Sequence, residues 1–243
     1  MNVRPHLLPI LACILSLATA GCMKAPGKPS PTAAEERPEH VLDFKVLYAE
    51  NCVACHGEHG NNGAALALSN PVYLAVAGES NITQVITNGR HGTMMPAFGK
   101  GAGGMLTQQQ VAVLAHGLVT TWGNPSVLNG QTPPPYANQA SGDPVQGQKS
   151  FAVFCASCHG ANGEGTSSPN AHIGSIVDTA YLALISDQGL RSIVIAGKPD
   201  QGMPDWRNHS TGAGARAMTN QEITDTVAFL TAHRGTTPNQ LHP

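Results

Sequence analysis

Aromatic residues are scarce in this chain of 243 residues: two Trp, four Tyr and five Phe make up 5% of it. Domains built from a chain this long ordinarily use more ring surface, so something other than aromatic side chains has to fill part of the interior. Charge is also sparse, at 12% Asp, Glu, Lys and Arg, which excludes a chain kept unfolded by self-repulsion. Thirteen Lys and Arg against fifteen Asp and Glu leave a formal net charge of -2. That balance excludes a strongly basic nucleic-acid binder, and no nucleic acid is expected as a partner. No apolar run reaches the ~20 residues of a membrane-spanning helix. What the chain does have is 27 Gly, 18 Pro and six Cys. Six cysteines in an exported protein would suggest three disulfides, unless they are committed elsewhere.

Two of the six belong to the N-terminus, which reads MNVRPHLLPILACILSLATAGC. Arg4, an apolar stretch from Leu7 to Ala18 and the small residues Ala20 and Gly21 before Cys22 follow the pattern of a secretory signal. Thr19-Ala20-Gly21-Cys22 resembles a lipobox. The resemblance implies a lipoprotein signal peptide over residues 1–21, cleavage before Cys22 and acylation of Cys22; the alternative is an ordinary signal in which Cys22 is incidental. Cys13 leaves with the signal in either case. The expected product is an exported bacterial protein, lipid-anchored to a membrane and facing the periplasm or cell exterior. More than one acyl chain is needed for a durable anchor.

The other four cysteines form two C-x-x-C-H motifs, Cys52-Val53-Ala54-Cys55-His56 and Cys155-Ala156-Ser157-Cys158-His159. This spacing reads as c-type haem attachment, in which two thiols add across the haem vinyl groups and the adjacent His becomes the proximal iron ligand. A zinc site made from two CxxC pairs would bring them much closer than the about one hundred residues that separate these. A thioredoxin-like redox site would need a βαβ pattern that the flanks lack. The chain therefore resembles class I cytochromes c in a tandem dihaem arrangement, over nearly all of residues 40–235. The resemblance implies an all-α fold: two tandem modules, each a few short helices wrapped around a covalent haem, with two covalently bound haem c groups. Cys52, Cys55, His56, Cys155, Cys158 and His159 would bind the cofactors.

An internal repeat supports this organisation. Aligning Tyr73-Leu74-Ala75 with Tyr181-Leu182-Ala183 brings Gly89 onto Gly197 and Met95-Pro96 onto Met203-Pro204 without a gap. Leu106 to Val111 then matches Met218 to Ile223. Each copy reads helix, haem loop, helix, Met-Pro loop, helix. Phe44, Leu47 and Tyr48 make an apolar stripe before the first motif, and Phe151 and Phe154 precede the second. Val111, Leu114, Ala115 and Leu118 line one closing helix, and Ile223, Val227 and Leu230 the other. Thr107 and Thr219 are expected to cap those helices, with Gln110 and Glu222 completing capping boxes.

In the class I family the sixth ligand is a Met late in the module, commonly followed by Pro. Carried over by position, the metal ligands are His56 and Met95 in the first module, and His159 and Met203 in the second. Met94, beside Met95, is an alternative, and His91 another. A thioether is soft and uncharged, so it favours ferrous iron and raises the potential. The chain departs from the family pattern in its first pocket. A Pro after the motif often accepts the proximal His Nδ1–H bond; Pro169 is a candidate in the second module, whereas the first has Gly63-Ala64-Ala65-Leu66. The closing helix usually carries an aromatic near its end; Phe229 fits, but Gly117 stands at the aligned position, with Trp122 available to fill the space. Arg90 and Lys198 also align, either as partners of haem propionates or as surface charges. His59, His116, His172, His209 and His233 have no repeat equivalents and read as solvated surface.

The resulting layout is a signal over 1–21, a Pro-rich flexible tether over 22–39, a first cytochrome c domain over 40–122, a Pro-rich linker over 123–142, a second domain over 143–237 and a tail over 238–243. An extended tether at ~3.1 Å per residue would reach on the order of 50 Å. A His/Met haem has no open site, so the expected function is electron transfer and not enzymatic catalysis. The chain would take single electrons from a membrane quinol-oxidising complex or dehydrogenase, respiratory or photosynthetic, and pass them to an oxidase or soluble cytochrome. It would act either as a shuttle or as a fixed subunit of such a complex. A dihaem enzyme such as a cytochrome c peroxidase-like protein is the alternative, and it would need one haem to lose its Met. A non-redox haem sensor is a third.

Overall fold

The computed structural model describes residues 37–168, 171–207 and 216–235. The expected signal, Cys22, almost all of the expected tether, Pro169, His209 and the expected tail lie outside these residues. The chain divides after His40 into two units. The described part of the first ends in a 3-10 turn, Pro38–His40. The second holds both modules.

Nine α-helices occur among the described residues of the second unit. In the first module these are α1 (Phe44–Asn51), α2 (Val53–His56), α3 (Pro71–Asn88) and α4 (Gln108–Trp122). In the second they are α5 (Pro144–Phe154), α6 (Ala156–His159), α7 (Thr179–Leu184), α8 (Asp187–Ala196) and α9 (Asn220–Thr231). Short polar side chains start seven of them. Asp43, Asn70, Thr107, Asp143, Asp178, Ser186 and Thr219 each accept a hydrogen bond from a backbone N–H of the first turn. Both expected capping boxes form, Thr107 with Gln110 and Thr219 with Glu222. The helix α3 bends at Gly78, whose φ of 67° and ψ of 159° are not helical. Gly78 aligns with Ser186, which separates α7 from α8, so the same break is made by a glycine in one copy and by a fresh cap in the other. One feature has no counterpart in the sequence reading: Thr166–Ser168 and Ala171–Ile173 pair as a two-stranded antiparallel ribbon, β1–β2, after the second motif.

The first and last helices of each module cross, and a glycine lets them approach. In the second module a Cβ on Gly147 of α5 would lie 1.9 Å from the Asp225 carbonyl oxygen and 2.8 Å from the Phe229 Cβ of α9. Phe229 instead meets Phe151, with ring centroids 5.2 Å apart. The first module inverts this pair. Its glycine is Gly117 on α4, and the ring of Phe44 on α1 occupies the space, 2.1 Å from where a Cβ would stand. Phe44 aligns with Gly147, and Gly117 with Phe229. Trp122 is packed edge-on against Phe44 and Tyr48, at 5.9 and 5.1 Å between centroids. The space beside Gly117 is thus filled by Phe44, with Trp122 covering it.

All seven closing-helix positions named from the sequence are buried. The modules share interior surface. One cluster joins Leu47, Tyr73, Leu114 and Leu118 of the first module to Phe154, Ile195, Trp206 and Ile223 of the second, and α3 packs on α8. A smaller cluster around Phe151, Leu182, Leu190 and Phe229 belongs to the second module alone.

Candidate haem sites

In each module the helix that precedes the motif ends at its first cysteine. Cys52 caps α1 and opens α2, and Cys155 does the same for α5 and α6. Within each one-turn helix the second cysteine and the histidine bond back to the first cysteine: Cys55 and His56 donate to the Cys52 carbonyl at 3.2 and 2.9 Å, Cys158 and His159 to that of Cys155 at 3.1 and 3.0 Å. Each motif therefore closes one helical turn, with its two cysteines three residues apart and the histidine next to the second. All four thiols are free, with Cys52 and Cys155 half-buried and Cys55 and Cys158 exposed. Burial, reinforced by the neighbouring cysteine, pushes the Cys52 and Cys155 thiols up to about 12.

His56 is buried, and its Nδ1 lies 2.8 Å from the Leu66 carbonyl oxygen. That contact takes one ring nitrogen as donor and leaves Nε2 as the free lone pair. Burial lowers the proton affinity of His56, which favours the neutral ring that metal ligation requires. The loop bearing Leu66 is tied down beside the motif: Ala65 N–H donates to the Cys55 carbonyl at 2.9 Å, and the Tyr48 hydroxyl to the Gly57 carbonyl at 2.8 Å. Leu66 thus supplies the acceptor that a proline often gives in the class I family. The second module uses other partners. Gly165 N–H donates to the His159 carbonyl at 2.7 Å, and the Thr166 hydroxyl to the Cys158 carbonyl at 2.8 Å, so the ribbon holds α6. Phe151 replaces Tyr48 there and offers no hydroxyl.

The Met-Pro loops are built alike. Arg90 N–H donates to the Met95 carbonyl, and Lys198 N–H to the Met203 carbonyl, both at 2.9 Å. The glycine before each cation has φ near 67° and presses against the loop. A Cβ on Gly89 would meet the Ala97 nitrogen at 2.6 Å, and one on Gly197 the Pro204 oxygen at 2.5 Å. This backbone match makes Met95 the counterpart of Met203. Met94, at 76% exposure, points mainly to solvent, while Met95 and Met203 are half-buried. Asp205 and Arg207 pair at 2.5 Å just beyond Met203. The Arg90 guanidinium bonds the Tyr136 hydroxyl of the linker.

A covalent haem fits these residues. Each motif offers two free thiols one helical turn apart, and the first carries a buried imidazole with one nitrogen already bonded. Among the described residues no group of three or more His, Cys, Asp or Glu could hold a bare metal ion, and one imidazole with one thioether is the donor set of a porphyrin iron. Sequence reasoning missed Leu66, because a backbone carbonyl leaves no side-chain signature. It also missed Thr166 and Tyr136. Of the histidines read as surface, His59 is exposed, and His116 meets Glu79 at 3.2 Å with both side chains largely exposed. His233 is held against the Phe229 carbonyl at 3.0 Å.

Residues 144–233 match the profile of cytochrome c, and residues 40–116 that of the cytochrome c oxidase, cbb3-type, subunit III family. The chain belongs to the cytochrome c family and carries two cytochrome c domains in tandem, a class of domain that holds haem c covalently. Among curated proteins it is similar to the cbb3-type cytochrome c oxidase subunit FixP of Bradyrhizobium diazoefficiens, 24% identical over 72% of this chain and 57% of that protein. It is 36% identical to FixP of a second Bradyrhizobium strain, over 30% of this chain and 25% of that protein. The same identity relates it to the CcoP subunit of Azospirillum brasilense, over 30% and 27%. The chain therefore spans from a quarter to just over half of the length of these relatives. Of solved structures, a reducing HAO-like protein complex of Kuenenia stuttgartiensis matches 82% of this chain and 100% of its own at a TM-score of 0.46 and 17% identity. No helix of the described residues is long and apolar enough to cross a membrane.

Proposed function

We propose that the chain is a membrane-anchored dihaem cytochrome c that relays single electrons, as a carrier or a subunit serving a membrane oxidase of the kind its FixP and CcoP relatives belong to. Residues 40–122 and 143–237 act as the two haem domains. Cys52 and Cys55 bind one haem and Cys155 and Cys158 the other, each through two thioethers. His56 and Met95 ligate the first iron, His159 and Met203 the second. The observation that carries this reading is the paired Met loop: Met95 and Met203 occupy the same hydrogen-bonded position in both copies, each past a glycine that only an absent side chain lets close. Bound haem supplies a one-electron change at iron. The protein's part would be to hold the His and Met side chains still across that change. The Leu66 carbonyl fixes the His56 ring, and the Gly89 and Gly197 contacts fix the Met loops. A membrane quinol-oxidising complex or dehydrogenase is the donor, an oxidase or soluble cytochrome the acceptor, and acylated Cys22 the membrane attachment.

The test is spectroscopic. Both ferric haems should be low-spin with the far-red band of Met-ligated iron. Met203→Ala should turn only the second haem high-spin and lower its potential. Unchanged spectra in that variant would remove Met203 as a ligand. A stable high-spin haem with peroxide turnover in the unmodified protein would move the assignment to a peroxidase-like enzyme.

A further inference from the structure

The linker between the modules is Pro-rich and glycine-flanked, a composition that reads as semi-rigid at its centre and flexible at its glycines. The contacts it makes are those of a clamp. The backbone carbonyls of Pro135 and Tyr136 accept from the guanidinium of Arg191 at 2.8 to 3.2 Å, and that of Tyr136 also from the Gln188 amide at 2.7 Å. Arg191 is 4% exposed. Asn138 Nδ2 donates to the Thr224 hydroxyl at 2.7 Å. These ties join the linker to α8 and α9. On its other side the Tyr136 hydroxyl is bonded by Arg90 and lies beside buried Tyr73, so one tyrosine touches both modules. Arg207, which pairs with Asp205 beyond Met203, also donates to the Val127 carbonyl of the linker at 2.9 Å.

A direct bond between modules accompanies the clamp. Asn70 is 6% exposed. Its Oδ1 caps α3 by accepting from Val72 and Tyr73 N–H at 2.9 and 3.2 Å. Its Nδ2 donates to the Ala196 and Gly197 carbonyls of the second module at 3.0 and 3.1 Å. Gly197 is the residue pressed on the Met203 loop. Asn70 in turn follows closely on Leu66, the acceptor for His56, and Ser69 N–H beside it donates to the Gly60 carbonyl at 3.0 Å. One short path therefore runs from the proximal ligand of the first module to the Met loop of the second: His56, Leu66, Asn70, Gly197, Met203.

We propose that Asn70 and Tyr136 are positioning residues that lock the two haem pockets into one rigid body, with the proximal side of the first facing the Met loop of the second, so that electrons cross within the chain along that side. The electronic half of this inference rests on the carrier reading above; the mechanical half does not. Tunnelling between fixed centres needs a fixed gap; the Asn70 bonds to Ala196 and Gly197, with Tyr136 bonded to Arg90 on one side and to Arg191 and Gln188 on the other, are what hold one here. Asn70 has all its side-chain valences used, which makes it a joint and not only a cap.

Asn70→Asp separates the two roles. The carboxylate keeps the acceptor for the α3 cap, a favourable one at a helix start. It loses both donors and sets an oxygen against the Ala196 and Gly197 carbonyls. Removing two buried hydrogen bonds shifts the packed-to-parted ratio by roughly 30-fold. Chymotrypsin cleavage in residues 123–142 of the full haem-loaded protein reads that ratio, because cleavage of a transiently opened state tracks its population. The expected result is faster linker cleavage by about that factor, slower electron equilibration between the haems of half-reduced protein, and unchanged spectra of each haem. Tyr136→Phe removes the hydroxyl that meets Arg90 and Tyr73 while keeping a chymotrypsin site, and it should move both readouts in the same direction. Wild-type cleavage and equilibration in both variants would overturn the joint. Unmodified protein that resists the protease but never equilibrates its two haems would overturn the carrier reading and the electronic half, and would leave the mechanical half standing.

Discussion

The inverted glycine–phenylalanine crossing makes a quantitative demand on stability. In Gly147→Ala the new methyl would stand 1.9 Å from the Asp225 carbonyl oxygen and 2.8 Å from the Phe229 Cβ. An ordinary carbon–oxygen approach is about 3.3 Å, so α5 and α9 must part by more than about 1 Å. Both obstacles are fixed to the α9 backbone, and a gap of that size forfeits a quarter to a half of the dispersion at each opened contact. Overpacking of this kind costs about 3 kcal/mol. The alanine returns about 1 kcal/mol through helix propensity, leaving a net loss of about 2 kcal/mol. Gly117→Ala is different. Its methyl would stand 2.1 Å from Phe44 Cδ2, but Phe44 is a half-buried side chain that can swing aside. The cost there is about 1 kcal/mol, close to the propensity gain. Thermal unfolding of the haem-loaded protein, followed by circular dichroism, should place Gly147→Ala lower by roughly 4–8 °C and Gly117→Ala near the parent. Equal shifts in the two variants would refute the reading, because they would mean that backbone and side-chain obstacles are equally soft.

Acid should find a second weak point. Arg216, with the Thr219 groups of the capping box, holds the Glu222 carboxyl down at about 2. A depressed carboxylate contributes stability above its unfolded value of about 4.3 and loses it as pH falls towards 2. After allowing for the solvent around this pair, the contribution is about 1 kcal/mol. Melting temperatures of parent and Glu222→Gln should therefore differ at pH 6 and converge only as pH falls to about 2; a gap that persists there would mean that packing, and not charge, is lost in the variant. Cys22→Ser should move the haem-loaded protein from the membrane fraction to the soluble periplasmic fraction. Retention with the membrane would assign the attachment to a protein partner.

What was legible in the sequence was whatever is written in side chains at fixed spacing. The motifs, the Met-Pro pairs, both capping boxes and the apolar stripes of the closing helices could all be read because each depends on residue type at a set interval. The partner of His56 could not be read, since any residue at Leu66 offers the same carbonyl. The ribbon after the second motif was hidden because Thr166-Ser167-Ser168 has neither alternation nor bulk. The linker's contacts were hidden for a related reason. Proline and glycine report on the chain's own stiffness, whereas Pro135 and Tyr136 are held through backbone oxygens by Arg191, which lies far along the sequence.

The two copies differ most behind the proposed iron ligands and least where those side chains are presented. Both Met loops share the bond from the cation's N–H to the Met carbonyl and one pressed glycine, and both motifs share one helical turn. Behind the ligands, Tyr48 and the Leu66 loop brace the first module, while Thr166 and the ribbon brace the second; the glycine and phenylalanine of the helix crossing have changed sides. Hydrogen bonding and burial around an axial ligand are the protein's means of tuning a haem of fixed ligation. Two identical pockets would have equal potentials and no preferred direction between them. On the proposed ligation, equal ligand sets on unequal supports would set the two potentials apart and bias the electron towards one haem.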